Sequence, residues 1–298
     1  MIVNIKDVIN LYRTKIREKI KHEKYNIKLL GILSNDDNNA KIYAKFTGRS
    51  CKKDGIEFEL IEIDKNNIIN YIEKVKDDNS IHGIIVYYPI FENEMTFMGI
   101  TQDNYIRNSI PLNKDVEGLS HFYKNYLYRN VRFIDNNNTK KCILPCTSIS
   151  IVKILEHLVY KKDTKLQNHI VTIINRSEIV GRPLAMMLSN DGATVYSVDI
   201  NTIYLLTNDL KYEEIEYVEY ENIIGKSDII ITGVPNKKFK LNTDYISPNT
   251  FIINFSGYKN IDEEKLKNIE DIKYVPSIGG MTIAMLERNL LRLYENFY

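Results

Sequence analysis

The sequence contains little cysteine and no long apolar run. Only three of its 298 residues are cysteines, and they lack the paired spacing of a metal site. They favour reduced thiols in a reducing compartment. The longest apolar stretches, such as residues 83–91, fall far short of the roughly 20 residues that cross a membrane. Because the charged N-terminal segment also lacks the apolar core of a signal peptide, we expect a cytosolic protein without a membrane segment.

An excess of charge of either sign is also missing. Forty Lys and Arg residues stand against 39 Asp and Glu residues, and the formal net charge is +1. Without a long block of one sign, the chain has no stripe that could follow a nucleic-acid backbone. The five histidines show no metal-ligand spacing. We therefore expect neither nucleic acid as a partner nor a bound metal.

The chain is long enough for about two domains, and no repeat of solenoid period is found. Strand-like and helix-like segments alternate in both halves, which predicts α/β domains with parallel sheets. The predicted strands are residues 27–33, 57–63, 82–88, 169–174, 194–198, 229–232 and 250–254. The predicted helices are one that Asn4 caps, then residues 39–53, 68–75, 148–160, 183–189 and 281–294.

The expected division into domains falls near residue 146. Residues 1–146 form the first predicted domain and residues 147–281 the second. The last helix, residues 282–298, carries an apolar stripe that must pack on something, and we expect it to return to the first domain.

Residues 173–183 run from a buried strand through a polar turn into a helix that begins near Pro183. Free amides and the helix dipole at such a turn favour a phosphate. The segment is not a GxGxxG motif, and an ordinary strand-to-helix turn is the alternative. Asp199 lies about 20 residues beyond the turn, where an acid accepts hydrogen bonds from an adenosine ribose. Since Ile200 and Asn201 supply no cation for a 2′-phosphate, the pattern predicts NAD rather than NADP.

Five motifs follow one another along the chain: Tyr43 with Gly55, Lys114-Asp115-Val116-Glu117-Gly118, Pro145-Cys146-Thr147, residues 176–183 and Met281-Thr282-Ile283-Ala284-Met285-Leu286. In order and separation they resemble the motifs of the methylenetetrahydrofolate dehydrogenase/cyclohydrolase family. The residues within these motifs are most similar to those of the monofunctional, NAD-dependent branch known from fungi. The resemblance implies a folate-site domain and a Rossmann-like dinucleotide-binding domain joined by long helices, and a tetrahydrofolate one-carbon substrate.

Three positions depart from the bifunctional pattern of the family. Thr47 stands where the family has the lysine of Tyr-x-x-x-Lys, Tyr87 replaces a glutamine, and Glu117 replaces an aspartate. Hydrolysis of the methenyl product needs an acid/base group, whereas hydride transfer leaves the hard chemistry to the cofactor. The departures therefore predict a dehydrogenase without cyclohydrolase activity.

The resemblance also implies the site residues. Tyr43, Thr47 and Glu117 are the expected catalytic positions, and Cys146 is not expected to be a nucleophile. Tyr43, Tyr87, Pro89, Asp115 and Glu117 are the expected substrate-binding residues, although Asp115 has a turn-holding role as its alternative. The expected cofactor-binding residues are Asn175, Arg176, Ser177, Val180, Asp199, Gly233, Val234, Pro235 and Thr282.

Three other functions compete with this interpretation. The first is a bifunctional enzyme whose acid/base group has moved to Glu117 or Tyr87. The second is a catalytically silent nucleotide-binding protein with the same fold. A shikimate-type dehydrogenase is weaker, because it does not explain the order of the N-terminal motifs. The family resemblance further implies a homodimer, the commonest soluble oligomer.

Overall fold

The computed structural model describes residues 1–207, 211–216 and 218–298, and they form two compact units. The first unit contains residues 10–146 and 283–298, and the second contains residues 1–9 and 147–282.

The N-terminal residues differ from the expected division, which assigned them to the first domain. Ile2 bridges Tyr274 in a parallel manner, and the Val3 amide donates to the Tyr274 carbonyl at 2.8 Å. These backbone contacts attach the N-terminal segment to the second unit.

The first unit is built on a parallel sheet of three strands in the order β2-β1-β3. In the register, Leu29 lies opposite Phe58 on one side and Gly83 on the other. The chain order of its elements is α1 (Lys6–Glu23), β1 (Lys28–Leu33), α2 (Asn38–Asp54), β2 (Glu57–Glu62), α3 (Ile68–Val75), β3 (Gly83–Tyr87), α4 (Gln102–Ser109) and α5 (His121–Tyr128).

Apolar residues cover both faces of this sheet, as expected of strands that run between helices. Leu29 and Ile85 belong to a core cluster with α2 and the C-terminal helix, while Leu30 and Ile84 pack with residues of α3 and α4. Helix α2 begins after Asp37, whose carboxylate accepts from the Ala40 amide, and it ends at a left-handed glycine at position 55.

The second unit contains a seven-stranded sheet in the order β10-β9-β8-β4-β5-β6-β7. Strands β4 and β8 are apolar and almost wholly buried. The elements follow one another as α6 (Cys146–Leu158), β4 (Ile170–Ile174), α7 (Gly181–Asn190), β5 (Thr194–Val198), β6 (Ile203–Leu206), β7 (Tyr212–Glu214), α8 (Tyr220–Lys226), β8 (Ile229–Thr232), β9 (Phe251–Asn254), α9 (Glu263–Leu266) and β10 (Lys273–Val275). The last helix, α10 (Gly279–Phe297), begins in this unit, and its residues from 283 onward belong to the first unit.

The predicted α/β class is confirmed, and the long periodic segments lie within a few residues of their expected bounds. The sequence prediction missed seven shorter elements, namely α4, α5, β6, β7, α8, α9 and β10. Strands β6 and β7 are antiparallel to their neighbours and form a hairpin at one edge of the second sheet. Across the described residues, no helix is both long and apolar enough to span a membrane.

Candidate functional site

A cavity of about 1080 Å³ opens in the second unit at the carboxyl ends of β4, β5 and β8. This is the position at which doubly wound sheets bind nucleotides. Its volume is at the upper end of the range for small-molecule and cofactor sites. Of the predicted cofactor-binding residues, six line it: Asn175, Arg176, Ser177, Asp199, Val234 and Pro235.

Asn175 and Ser177 shape the turn between β4 and α7. The Asn175 carboxamide donates to the Gly233 carbonyl at 3.0 Å and accepts from the Ser177 hydroxyl at 2.7 Å. The Ser177 hydroxyl oxygen in turn accepts from the Val180 amide at 3.3 Å. At Gly181 a Cβ atom would stand 1.9 Å from the Asn175 carbonyl oxygen, so that only glycine allows this close approach of helix and turn.

Three of the predicted cofactor-binding residues do not line the cavity. Val180 is buried at the start of α7, where its carbonyl accepts from the Ser148 hydroxyl at 3.0 Å. Gly233 contributes its carbonyl to the Asn175 bond described above. Thr282 is buried in α10 and donates to the Ile278 carbonyl at 3.3 Å. The hydrogen bonds found for these three residues are made within the protein, and their cofactor-binding roles stay predictions.

Asp199 is exposed at the end of β5 and faces the cavity as predicted. Its amide donates to the Thr202 carbonyl at 3.0 Å, which closes the turn into β6. Its carboxylate accepts from the Ile200 amide at 2.9 Å and keeps a second oxygen for a ligand. The geometry fits an acid that receives hydrogen bonds from ribose hydroxyls.

Arg176 lines the cavity but points its donors into the protein. Its Nη2 donates to the carbonyls of Ser197 and Thr202 at 2.7 and 2.6 Å, and its Nη1 donates to the Thr202 hydroxyl at 2.6 Å. The guanidinium also lies 4.3 Å from the centroid of the Tyr204 ring. Arg176 therefore supports the turn that carries Asp199.

The hairpin of β6 and β7 supplies cavity residues that the sequence prediction missed. Glu214 and Glu216 line the cavity together with Ile203, Ile215 and Val218. The Tyr204 hydroxyl donates to Glu214 at 2.7 Å, and the Tyr204 and Tyr212 rings stack with centroids 4.6 Å apart. No motif marks these acids, because only the fold of the hairpin brings them beside Asp199.

In the first unit, the predicted substrate residues Tyr43 and Tyr87 come together. Their rings meet edge to face, with centroids 5.7 Å apart. Tyr87 ends β3 and is buried, and burial raises the pKa of its hydroxyl. Pro89, which follows Tyr88 through a cis peptide bond, is exposed at the same strand end. The partly buried ring of Tyr43, packed on the neutral phenol of Tyr87, gives an aromatic surface suited to a planar ring.

Thr47 lies beside these tyrosines but does not face a ligand. Its side chain is fully buried, and its hydroxyl donates to the Tyr43 carbonyl at 2.9 Å. A hydroxyl bonded to the preceding helical turn is a common arrangement for threonine in a helix. Thr47 therefore carries neither an ionisable group nor a free proton donor at this position.

The two acids of the Lys-Asp-Val-Glu-Gly motif have different environments. Asp115 is buried and accepts from the amides of Gly118 and Ser120, each at 2.9 Å, so that it holds the turn. Glu117 is partly buried, and desolvation raises its pKa to about 7, against the opposing charge of Arg107. The pKa of Tyr43 is raised by burial and by the nearby Cys146 and Glu117, which indicates that Glu117 belongs to the same cluster.

Two supporting residues of the first unit were not foreseen. Arg107 is buried on α4 and lies 4.0 Å from the centroid of the Tyr88 ring. Asn289 on α10 donates to the carbonyls of Val116 and Leu144 at 2.9 and 2.8 Å. Asn289 thus fixes the backbone just before Glu117. The sequence held no signal for either, since each acts across a long separation along the chain.

Cys146 is buried beside this backbone. Its thiol lies 3.3 Å from the Val116 carbonyl, and burial raises its pKa well above the usual range. A thiol with a raised pKa is a poor nucleophile at neutral pH.

Family models match both halves of the chain. Residues 3–117 match the tetrahydrofolate dehydrogenase/cyclohydrolase catalytic domain, and residues 145–298 match the NAD(P)-binding domain of the same family. The chain is 42% identical to a methylenetetrahydrofolate dehydrogenase [NAD(+)] of Dictyostelium discoideum, over 99% of this chain and 94% of that protein. It is 43% identical to the Saccharomyces cerevisiae enzyme of the same name, over 90% of this chain and 86% of that one.

A solved structure agrees with these matches. The NAD-dependent 5,10-methylenetetrahydrofolate dehydrogenase from Saccharomyces cerevisiae superposes with a TM-score of 0.90 at 38% identity, covering 99% of this chain and 97% of that one. The resemblance found in the motifs is thereby confirmed. With both of its halves matched, the chain belongs to the tetrahydrofolate dehydrogenase/cyclohydrolase family.

Proposed function

We propose that this protein oxidises 5,10-methylenetetrahydrofolate to 5,10-methenyltetrahydrofolate with NAD and does not hydrolyse the product. The observation that carries the proposal is the cavity of the second unit, in which the turn at Asn175 and Ser177 and the free carboxylate oxygen of Asp199 line one space. Phosphates and a ribose diol need such a pair of features. The 42% identity to an NAD-dependent enzyme supports the same cofactor.

When bound, NAD supplies the acceptor for the hydride. Asp199 orients the adenosine ribose, and the Asn175 and Ser177 turn holds the phosphates. In the first unit, the Tyr43 ring contacts the pterin face. The Glu117 carboxylate accepts hydrogen bonds from the polar edge of the pterin, and Asp115 and Asn289 fix the backbone on either side of Glu117.

The absence of cyclohydrolase activity is proposed from Thr47 and Tyr87. Water attack on the methenyl carbon requires a group that gains and loses a proton near neutral pH. Thr47 donates its hydroxyl to a backbone carbonyl, and burial keeps the Tyr87 phenol protonated. Neither side chain is suited to that proton transfer.

A second candidate function rests on Glu117. Its pKa of about 7 is suited to acid/base chemistry, so that a bifunctional enzyme with a relocated group is the main alternative. A direct test gives the protein methenyltetrahydrofolate and follows its absorbance decay beside a buffer blank. We expect equal decay rates. Enzyme-dependent decay that disappears in Glu117→Gln would favour the alternative.

The dehydrogenase itself is tested by following reduced-nicotinamide absorbance with methylenetetrahydrofolate and NAD or NADP in parallel. We expect turnover with NAD and a far lower kcat/KM with NADP. No turnover with either cofactor, in a protein that binds NAD, would favour the silent nucleotide-binding protein. The homodimer and the cytosolic location stay predictions of the sequence.

A further inference from the structure

The β6 and β7 hairpin places two more acids in the wall of the cofactor cavity. Glu214 ends β7, and Glu216 follows it two residues later. Of the described residues that line this cavity, three carry carboxylates, Asp199, Glu214 and Glu216, whereas Arg176 alone carries a cation. The cavity wall is therefore acidic even though the whole chain has a net charge of +1.

The positive charge of Arg176 is not directed into the cavity, where it could offset the negative charge of these acids for a bound ligand. An arginine near the end of this strand is the usual means of accepting a 2′-phosphate. Here Nε, Nη1 and Nη2 all donate to Ser197 and Thr202, and only 9% of the residue is exposed. To meet a phosphate, the guanidinium would have to break four hydrogen bonds and move away from the Tyr204 ring.

A chain of contacts links Arg176 to the hairpin acids. The Tyr204 ring lies against the guanidinium of Arg176, while its hydroxyl donates to Glu214 at 2.7 Å. Tyr204 lies on β6, and Glu214 lies opposite it on β7. Tyr204 thus contacts the Arg176 guanidinium with its ring and positions Glu214, an acid of the cavity wall, with its hydroxyl.

We propose that the β6 and β7 hairpin is a second determinant of cofactor choice, in which Glu214 and Glu216 repel the 2′-phosphate of NADP. Tyr204 positions Glu214 through its hydroxyl, and its ring holds Arg176 in the conformation that donates to Ser197 and Thr202. The proposal rests on the proposed function, because it assigns the cavity to the adenosine end of the cofactor. It adds to Asp199 a source of discrimination that lies on a different element.

The physical basis is repulsion between a phosphate dianion and two carboxylates at a partly solvated surface. Such repulsion weakens with distance and is screened by salt. Because Glu214 and Glu216 are exposed, we expect each to disfavour NADP by roughly three- to tenfold, with little effect on NAD. NAD has a hydroxyl at the 2′ position where NADP carries the phosphate, so that the two carboxylates do not repel it there.

The experiment measures dissociation constants of NAD and NADP for the full chain without folate, by titration calorimetry. The variants are Glu214→Gln, Glu216→Gln and the double variant. The matched control is Glu213→Gln, which removes the same charge from an exposed neighbour that does not line the cavity. We expect the Kd ratio of NADP to NAD to fall by about tenfold or more in the double variant and to stay unchanged in the control.

Tyr204→Phe tests the positioning role. The ring over Arg176 is retained, and only the hydrogen bond to Glu214 is lost. We expect a smaller fall in the Kd ratio than Glu214→Gln gives, and no additional fall when the two substitutions are combined.

A measurement on the unmodified protein tests the proposal even if a variant fails to fold. Raising the salt concentration from about 0.05 to about 0.5 M should narrow the gap between NAD and NADP, because screening weakens the repulsion. An unchanged ratio in the folded double variant, or equal weakening of both cofactors, would overturn the proposal. Failure of the proposed function is distinguishable, because it is measured as absence of turnover with methylenetetrahydrofolate, whereas this proposal is tested by the binding of NAD and NADP alone.

Discussion

Thr47 is fully buried, and its hydroxyl donates to the Tyr43 carbonyl one turn earlier in α2. Thr47 therefore supplies no acid/base group to the proposed folate site, and its own hydroxyl is paired within the helix. Tyr87 fills the neighbouring space with a neutral phenol. At the scale of residues, the proposed absence of cyclohydrolase activity rests on these two side chains, neither of which exchanges a proton near neutral pH.

Thr47→Lys is expected to give at most weak cyclohydrolase activity. The new ammonium would lie on the face of α2 that carries Tyr43, yet Tyr87 still fills the adjacent space. Its charge would also disfavour the cation that develops during hydride transfer, so that we expect kcat for the dehydrogenase to fall by about tenfold. Both rates are measured on one preparation, with Lys45→Thr, an exposed position of the same helix, as the control. Full cyclohydrolase activity in Thr47→Lys would contradict the role given to Tyr87.

Glu117 predicts a pH dependence of the dehydrogenase. Desolvation raises its pKa to about 7, and in the proposed folate site the carboxylate is the form that accepts hydrogen bonds from the pterin. We therefore expect kcat/KM to rise as the pH increases through about 7 and to level off above it. In Glu117→Gln this rise should disappear, and kcat/KM at pH 8 should fall by roughly ten- to a hundredfold.

The informative control for Glu117 is Glu117→Asp, which keeps an acid at the position and restores the residue usual in the family. A pH profile of Glu117→Gln that matches the unmodified protein would show that another group titrates.

At the scale of elements, helices α1, α2 and α10 meet around buried charges. Asp54 at the end of α2 and Glu287 on α10 are fully buried. The Arg13 Nε atom on α1 donates to Asp54 at 2.6 Å and lies 4.0 Å from Glu287, and Arg17 lies 3.4 Å from Asp54. Burial and the neighbouring Asp54 carboxyl raise the pKa of Glu287 to about 8, with Arg13 opposing the shift.

This cluster predicts that folding stability falls as the pH rises. Because the pKa of Glu287 is higher in the folded than in the unfolded chain, the folded state binds the extra proton, and its stabilising effect is lost as the pH rises toward 8. We expect this contribution to decrease between about pH 5 and pH 8, by up to about 1.4 kcal/mol per pH unit. Urea unfolding across that range measures it.

Glu287→Gln keeps the shape of the side chain and should make this decrease less steep, most clearly between pH 7 and 8, because Glu117 with its pKa of about 7 contributes in the same direction at lower pH. Glu295→Gln removes an acid from the last turns of the same helix, where the side chain is 40% exposed and pairs with Lys19. We expect it to leave the slope unchanged. If Glu287→Gln and Glu295→Gln have the same slope as the unmodified chain, then Glu287 is not the titrating group.

At the scale of the whole molecule, we expect a homodimer, as the family resemblance and the prevalence of two-fold oligomers imply. The seven-stranded sheet ends at β7 and the three-stranded sheet ends at β2, and both of these edge strands are mostly exposed. Light scattering at micromolar concentration should return twice the chain mass of 34.8 kDa. A monomer mass over the whole concentration range would contradict this expectation.

The sequence by itself determined the features that are written in neighbouring residues. Hydrophobic periodicity predicted the α/β class and the long elements, and the strand, polar turn and helix around Ser177 predicted a phosphate-binding turn. The distance to Asp199 then predicted a ribose-binding acid, and Ser177 and Asp199 line one cavity in the structure. Short polar elements such as β7, with every residue exposed, have no periodicity strong enough to predict them.

Only the tertiary structure decided which side chains are available for chemistry. The motif predicts Arg176 as a cofactor-binding residue, yet in the folded chain its guanidinium donates hydrogen bonds to Ser197 and Thr202. Glu214 enters the cavity wall only because a hairpin returns it beside β6. Asp54 and Glu287 lie far apart in the chain and share one buried space. Burial and hydrogen-bond partners depend on contacts between distant residues, and local patterns carry no record of those contacts.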